Sequence, residues 1–192
     1  MQTDQWPTDK AERDEYQRSA HLLFQSHGLP AQAPLLALAQ ELQATLPTED
    51  KIAIQDLSNQ ISRIVCDHFS IKPAPIRILG TRKRQDRGEY YDELFGDYDF
   101  ASTKIRLWMR TAVQEKMTSY GTFLSTLCHE LCHHIDVKKL ELPNTFHTQG
   151  FYERSGLLYH HVRGTPMKKL VWNEHRDGTK SINWPKTMGN KS

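Results

Sequence analysis

The sequence predicts an α+β fold, with leading helices, then a small, mostly antiparallel sheet, then two further helices. Three observations carry that reading. Apolar residues recur at helical spacing between positions 35 and 69, the period drops to two between 75 and 110, and helical spacing returns between 119 and 162. A chain of 192 residues is long enough to bury one stable core and still carry extensions.

Residues 1–30 are polar, with one helical stretch around Ala11 to His27, and read as an N-terminal arm. Leu35, Leu38, Ala39, Leu42 and Leu46 follow Pro34, a good first-turn residue, and mark the first core helix. Ile54, Leu57, Ile61, Ile64, Val65 and Phe69 mark a longer one, stopped by Lys72-Pro73-Ala74-Pro75. Pro75 to Leu79 reads as a strand ending at Gly80. Tyr90, Tyr91, Leu94 and Phe95 fit a second strand or a loop equally well. Ile105, Leu107 and Met109 alternate with Arg106, Trp108 and Arg110, the pattern of a half-buried strand.

A helix from about Ser119 to Val137 then takes its core face from Phe123, Leu124, Leu127, Leu131 and Ile135, with Thr118 or Ser119 as its cap. Another follows, roughly Thr145 to Val162. Beyond Gly164 the periodicity ends. Residues 163–192 hold seven basic and two acidic side chains, which reads as a flexible basic tail. The organisation expected is an arm at 1–30, a domain at 31–163 and a tail at 164–192.

With 25 basic and 23 acidic residues, the formal charge of +2 does not by itself demand a nucleic-acid partner. Local patches are the place to look. Arg82, Lys83, Arg84 and Arg87 in loop 82–87, and the lysines of the tail with Trp172 and Trp184, fit weak phosphate and base contact. A solvated loop and tail explain them as well, and a third reading has the tail, with its two tryptophans, dock back onto the domain or on a partner. No run approaches the ~18 apolar residues of a membrane helix. The first twenty residues lack the apolar stretch of a secretory signal. Cys66, Cys128 and Cys132 have no CxxC spacing and fit a reducing compartment, so a cytoplasmic protein is expected. Cys128 and Cys132, four apart, read as core thiols.

The chemistry concentrates in His129-Glu130-Leu131-Cys132-His133. Residues four apart share a helix face, so His129 and His133 can offer two imidazoles to one ion. Glu130 lies about 100° round the helix, placed to address a water rather than to ligate. A catalytic zinc keeps one position open for that water and acidifies it, and the glutamate takes its proton as it attacks a carbonyl.

A third protein ligand is needed. His134 points away from the shared face. The metzincin pattern requires glycine at 136 and histidine at 139, and Asp136 and Lys139 stand there. Asp136, three residues past His133, suits an acceptor fixing a histidine tautomer. Glu153 suits a carboxylate ligand. His147 is preferred, because it opens the next helix and is followed by Gly150, which permits close helix approach, and Phe151, which can pack beneath the site. Donors to a developing oxyanion would come from Arg154, Tyr152, Tyr159, His160 or His161.

His129-Glu130-Leu131-Cys132-His133 followed by His147-Thr148-Gln149-Gly150-Phe151 resembles the SprT-like (Spartan-like) zinc metallopeptidases, over about Leu35 to Val162. The resemblance implies a minimal zincin with one Zn2+ on His129, His133 and His147, and Glu130 as general base. It also implies a protein substrate; members of that family include proteases acting on DNA-bound proteins. Many carry a C-terminal cysteine ribbon, and no cysteine follows Cys132 here. Two rivals stand beside a peptidase: a zinc-containing module that binds protein or nucleic acid, and a structural zinc site. A structural site has no use for a carboxylate beside a ligand.

Overall fold

The computed structural model describes residues 1–24, 28–81, 95–111 and 115–189. Helix α1 (Lys10–His21) opens on Asp9, whose carboxylate accepts from the amides of Ala11 and Glu12. Helix α2 (Gln32–Thr45) carries Pro34 in its first turn and buries Leu35, Ala39 and Leu42. A 3-10 turn at Leu46–Thr48 leads through left-handed Glu49 to α3 (Lys51–His68), capped by Asp50. The apolar face expected of α3 is the one buried, from Ile54 to Val65.

Strand β1 (Ile76–Thr81) pairs parallel with β3 (Lys104–Arg110), and β2 (Gly96–Asp99) pairs antiparallel with β3 on its other side. The order is therefore β1-β3-β2, a mixed sheet where a mostly antiparallel one was expected. Alternation fixes which residues share a face but says nothing about strand direction, so the sequence marks β1 and β3 but neither β2, which begins just past the undecided stretch at Tyr90 to Phe95, nor this pairing. Loop 82–87, Tyr90, Tyr91 and Leu94 lie outside the described residues.

Register puts Ile76, Ile78, Ile105, Leu107, Gly96 and Tyr98 on one face, against the helices. On the other face Arg106 clasps Asp97 across the strands with both ends of its guanidinium, at 2.8 and 2.6 Å. The outer edge of β1 is closed by α3, whose Asn59 and Gln55 accept from the amides of Ile76 and Ile78.

Helix α4 (Tyr120–Lys138) lies on β2 and β3, and α5 (Gln149–Arg163) packs along it. Ser119 caps α4 as expected, accepting from Thr122 N–H. Cys128 and Cys132 are fully buried core thiols. No helix among the described residues is long and apolar enough to cross a membrane.

The helical stretch expected in the arm is α1, and the tail, expected to be flexible, carries secondary structure. Strands β4 (Trp172–Glu174) and β5 (Lys180–Ile182) form a hairpin, followed by a short helix α6 (Trp184–Met188). Residues 1–4 lie alongside β5: Thr3 N–H donates to Lys180 O at 2.8 Å, Ile182 N–H to Met1 O at 3.3 Å, and Gln2 bridges to Ser181. The two ends thus satisfy part of their backbone on each other, a long-range pairing that hydrophobic spacing within either segment does not record.

Candidate metal centre

His129 and His133 stand one turn apart on α4, and His147 reaches them from the connection before α5. The Nε2 atoms of His129 and His147 are 3.1 Å apart, and those of His133 and His129 are 3.2 Å apart. Two nitrogens each about 2.0–2.1 Å from a tetrahedral ion stand roughly 3.3 Å from one another. The three rings are therefore set nearly as one ion would hold them. All three ligand atoms fall within 4.8 Å of each other, close enough to share a metal ion. Glu153 and Asp136 stand outside this group.

His147 does not open α5. Residue 145 has a left-handed backbone (φ 42°), and Thr148 is the N-cap, its hydroxyl accepting from Phe151 N–H. The helix so begins at Gln149, two residues past His147. The bend is stabilised from far away in sequence: the buried Glu15 of α1 accepts from the amides of Asn144 and Thr145 and from the Asn144 side chain. Leu142-Pro143-Asn144 marks the connection in the sequence, but not where it ends, because Glu15 is distant in the chain.

Phe151 is the floor of the site. Its ring centroid lies 4.9, 4.5 and 5.0 Å from those of His129, His133 and His147. Gly150 permits close approach as expected, here between α5 and α1. A Cβ at that position would lie 2.2 Å from Ser19 O and 2.7 Å from Ala20 O.

Behind the three histidines runs a buried polar chain. Thr145 Oγ1 donates to Asp136 Oδ2 at 3.4 Å and stands 2.8 Å from His133 Nδ1. With its proton committed to the carboxylate, that hydroxyl accepts from Nδ1–H, which leaves the His133 Nε2 lone pair facing the other imidazoles. Asp136 thus acts on the tautomer through Thr145, a residue that sequence reading did not single out. Arg154 completes the chain with a double contact to Asp136, at 3.1 and 2.6 Å, both side chains wholly buried. Its remaining hydrogens go to Ser19 O, Leu22 O and Ser19 Oγ, so it also ties down the end of α1.

His134 faces away, as expected: its Nε2 donates to Lys72 O and its Nδ1 takes the Tyr98 hydroxyl. Tyr98 lies parallel to the His133 ring at 6.5 Å. Burial pushes His129 down to about 3, with His147 adding to the effect. Burial likewise depresses His133, helped by its histidine neighbours. Both imidazoles are thereby neutral, the form a metal requires.

Comparison with protein-family models, curated proteins and solved structures finds no match to this chain. The chemistry of the site rests on its own geometry.

Glu130 is 5% exposed and packs against β2 where Gly96 leaves room. A Cβ on Gly96 would meet Thr126 Cγ2 at 2.5 Å and Glu130 Cγ at 3.1 Å. Burial, with Asp97 nearby, pushes Glu130 up to about 8. A cation at the histidines opposes that shift and favours the ionised form.

Most of the oxyanion donors suggested by sequence are engaged elsewhere. Arg154 is committed to Asp136, Tyr152 donates to Gln2 O at 2.8 Å, His161 contacts Pro30 O and His160 contacts Thr165 Oγ1, whereas Tyr159 only accepts, from Arg163. Tyr152 does stack on His147, ring centroids 5.8 Å apart. From Tyr152 and Thr126 a cleft of about 610 Å³ extends between α4, α5 and the C-terminal segment, where Met167, Leu170, Ile182 and Trp184 line it.

Proposed function

We propose that this chain is a zinc metallopeptidase of SprT-like type, a minimal zincin that cleaves peptide bonds of protein substrates. The single observation carrying the proposal is the convergence of three imidazole nitrogens, at 3.1 and 3.2 Å, next to a buried glutamate that stands outside that group. An all-imidazole donor set suits zinc, and three protein ligands leave its fourth position for water.

A zinc ion bound there would supply Lewis acidity and a water acidic enough to lose its proton near neutral pH. The protein's own groups supply the rest. Glu130 takes that proton as general base and returns it to the departing amine nitrogen. Its burial favours the protonated form between those two steps, which suits a group that must both accept and donate. Thr145 and Asp136 keep His133 in the ligating tautomer, and Phe151 fixes the planes of all three rings. The partly apolar cleft that begins at Tyr152, the ring stacked on His147, offers room for substrate side chains.

The test of the metal half is elemental analysis of the purified protein. About one zinc per chain is expected, and His147→Ala is expected to lose it while remaining folded. A folded wild-type protein that takes up no zinc refutes the reading.

A further inference from the structure

We infer that the N-terminal segment is a clamp on the third histidine, with Asp4 as the positioning residue that orients His147 for the metal; the inference rests on the zinc reading above. Asp4 and His147 are bonded to each other from both sides. Asp4 N–H donates to His147 O at 3.1 Å, and His147 N–H donates to Asp4 Oδ2 at 2.8 Å. The other carboxylate oxygen, Oδ1, stands 3.5 Å from His147 Nδ1. One carboxylate therefore fixes the backbone of the ligand with one oxygen and faces its ring nitrogen with the other.

The need for such a device follows from where His147 sits. His129 and His133 are held by a long, buried helix, whereas His147 lies in a connection, before the cap of α5. Its Nε2 points at the other two histidines, so its Nδ1 must carry the proton when Nε2 ligates. Asp4 is the acceptor beside that proton, as Thr145 is for His133. Asparagine could not serve both contacts, because it offers one acceptor oxygen where the carboxylate offers two.

Asp4 is itself held by both later parts of the chain. Tyr16 of α1 donates to Asp4 O at 3.1 Å. On the preceding residues, Thr3 exchanges hydrogen bonds with Lys180, N–H to carbonyl and amide to hydroxyl, both at 2.8 Å. Gln2 Nε2 donates to Thr179 Oγ1 at 2.7 Å, and Tyr152, stacked on His147, donates to Gln2 O. The hairpin of β4 and β5 thus acts on the metal site through residues 2–4.

The experiment measures zinc affinity by competition with a chromophoric chelator for wild type, Asp4→Asn and Asp4→Ala. Melting of the same three proteins without zinc is measured alongside. The clamp predicts a zinc Kd weakened about ten- to a hundredfold in both variants, with zinc-free melting unchanged for Asp4→Asn. Wild-type zinc binding with an unchanged Kd in both variants overturns the clamp alone. So does a loss of affinity that appears only where zinc-free stability has fallen, the mark of a merely structural role. A wild-type chain that takes up no zinc overturns the metal reading and the clamp together.

Discussion

Arg154 is the residue on which the site's buried support turns, and its removal has a calculable cost. Its guanidinium makes five hydrogen bonds, two to Asp136 and three to the end of α1, and no part of the side chain reaches solvent. Arg154→Met keeps much of the volume and removes every donor. Asp136 is then a buried carboxylate without its counter-charge, and the carbonyls of Ser19 and Leu22 lose their partner. Breaking a buried pair from one side costs about 3–5 kcal/mol. For a chain of this size each kcal/mol is worth about 2–4 °C, so the melting temperature should fall by roughly 6–20 °C. The assay is thermal melting and urea unfolding of the zinc-free protein, so that metal binding adds nothing to the difference. Asp136→Asn combined with Arg154→Met should recover part of the loss, because no unpaired charge remains. A loss under about 1 kcal/mol for Arg154→Met, the level of an exposed ion pair, would refute the reasoning.

Two further expectations come from the groups nearest the ligands. Gly96→Ala would press on Thr126 and Glu130, whose atoms lie 2.5 and 3.1 Å from the new Cβ. Zinc content should be retained and peptide cleavage should fall about ten- to a hundredfold; activity within twofold of wild type would show that Glu130 is not held by this contact. The second concerns pH. An ordinary imidazole ligand loses about fourfold in metal affinity between pH 7.5 and 6, so three would lose about fiftyfold. His129 and His133 are depressed by burial, carry no proton to be displaced in this window, and add nothing to that loss. Zinc affinity measured by chelator competition should therefore fall less than about tenfold, and a fiftyfold fall would contradict the depressed histidines.

What the sequence makes legible is whatever a local period records. Helices α2 to α4 and strands β1 and β3 announce themselves through spacing, and Ser119 through its cap. His129, Glu130 and His133 follow from a four-residue separation on one of those helices. His147 and the Phe151 floor were likewise within reach, since both lie in one short stretch. The parallel pairing of β1 with β3 was not, because strand direction depends on a crossover. The start of α5 was misplaced because the turn before it is stabilised by Glu15, far off in the chain. Asp4, Thr145 and the hairpin escaped for the same reason: each acts through a contact whose partner is distant, and polar residues leave no periodic trace.

The most direct measurement compares wild type with Glu130→Gln, both loaded to the same zinc content, in cleavage of an unfolded protein substrate. The account predicts that the variant keeps its zinc and loses cleavage by at least about a hundredfold, the scale of a removed general base. Full cleavage by Glu130→Gln at equal zinc content would contradict it.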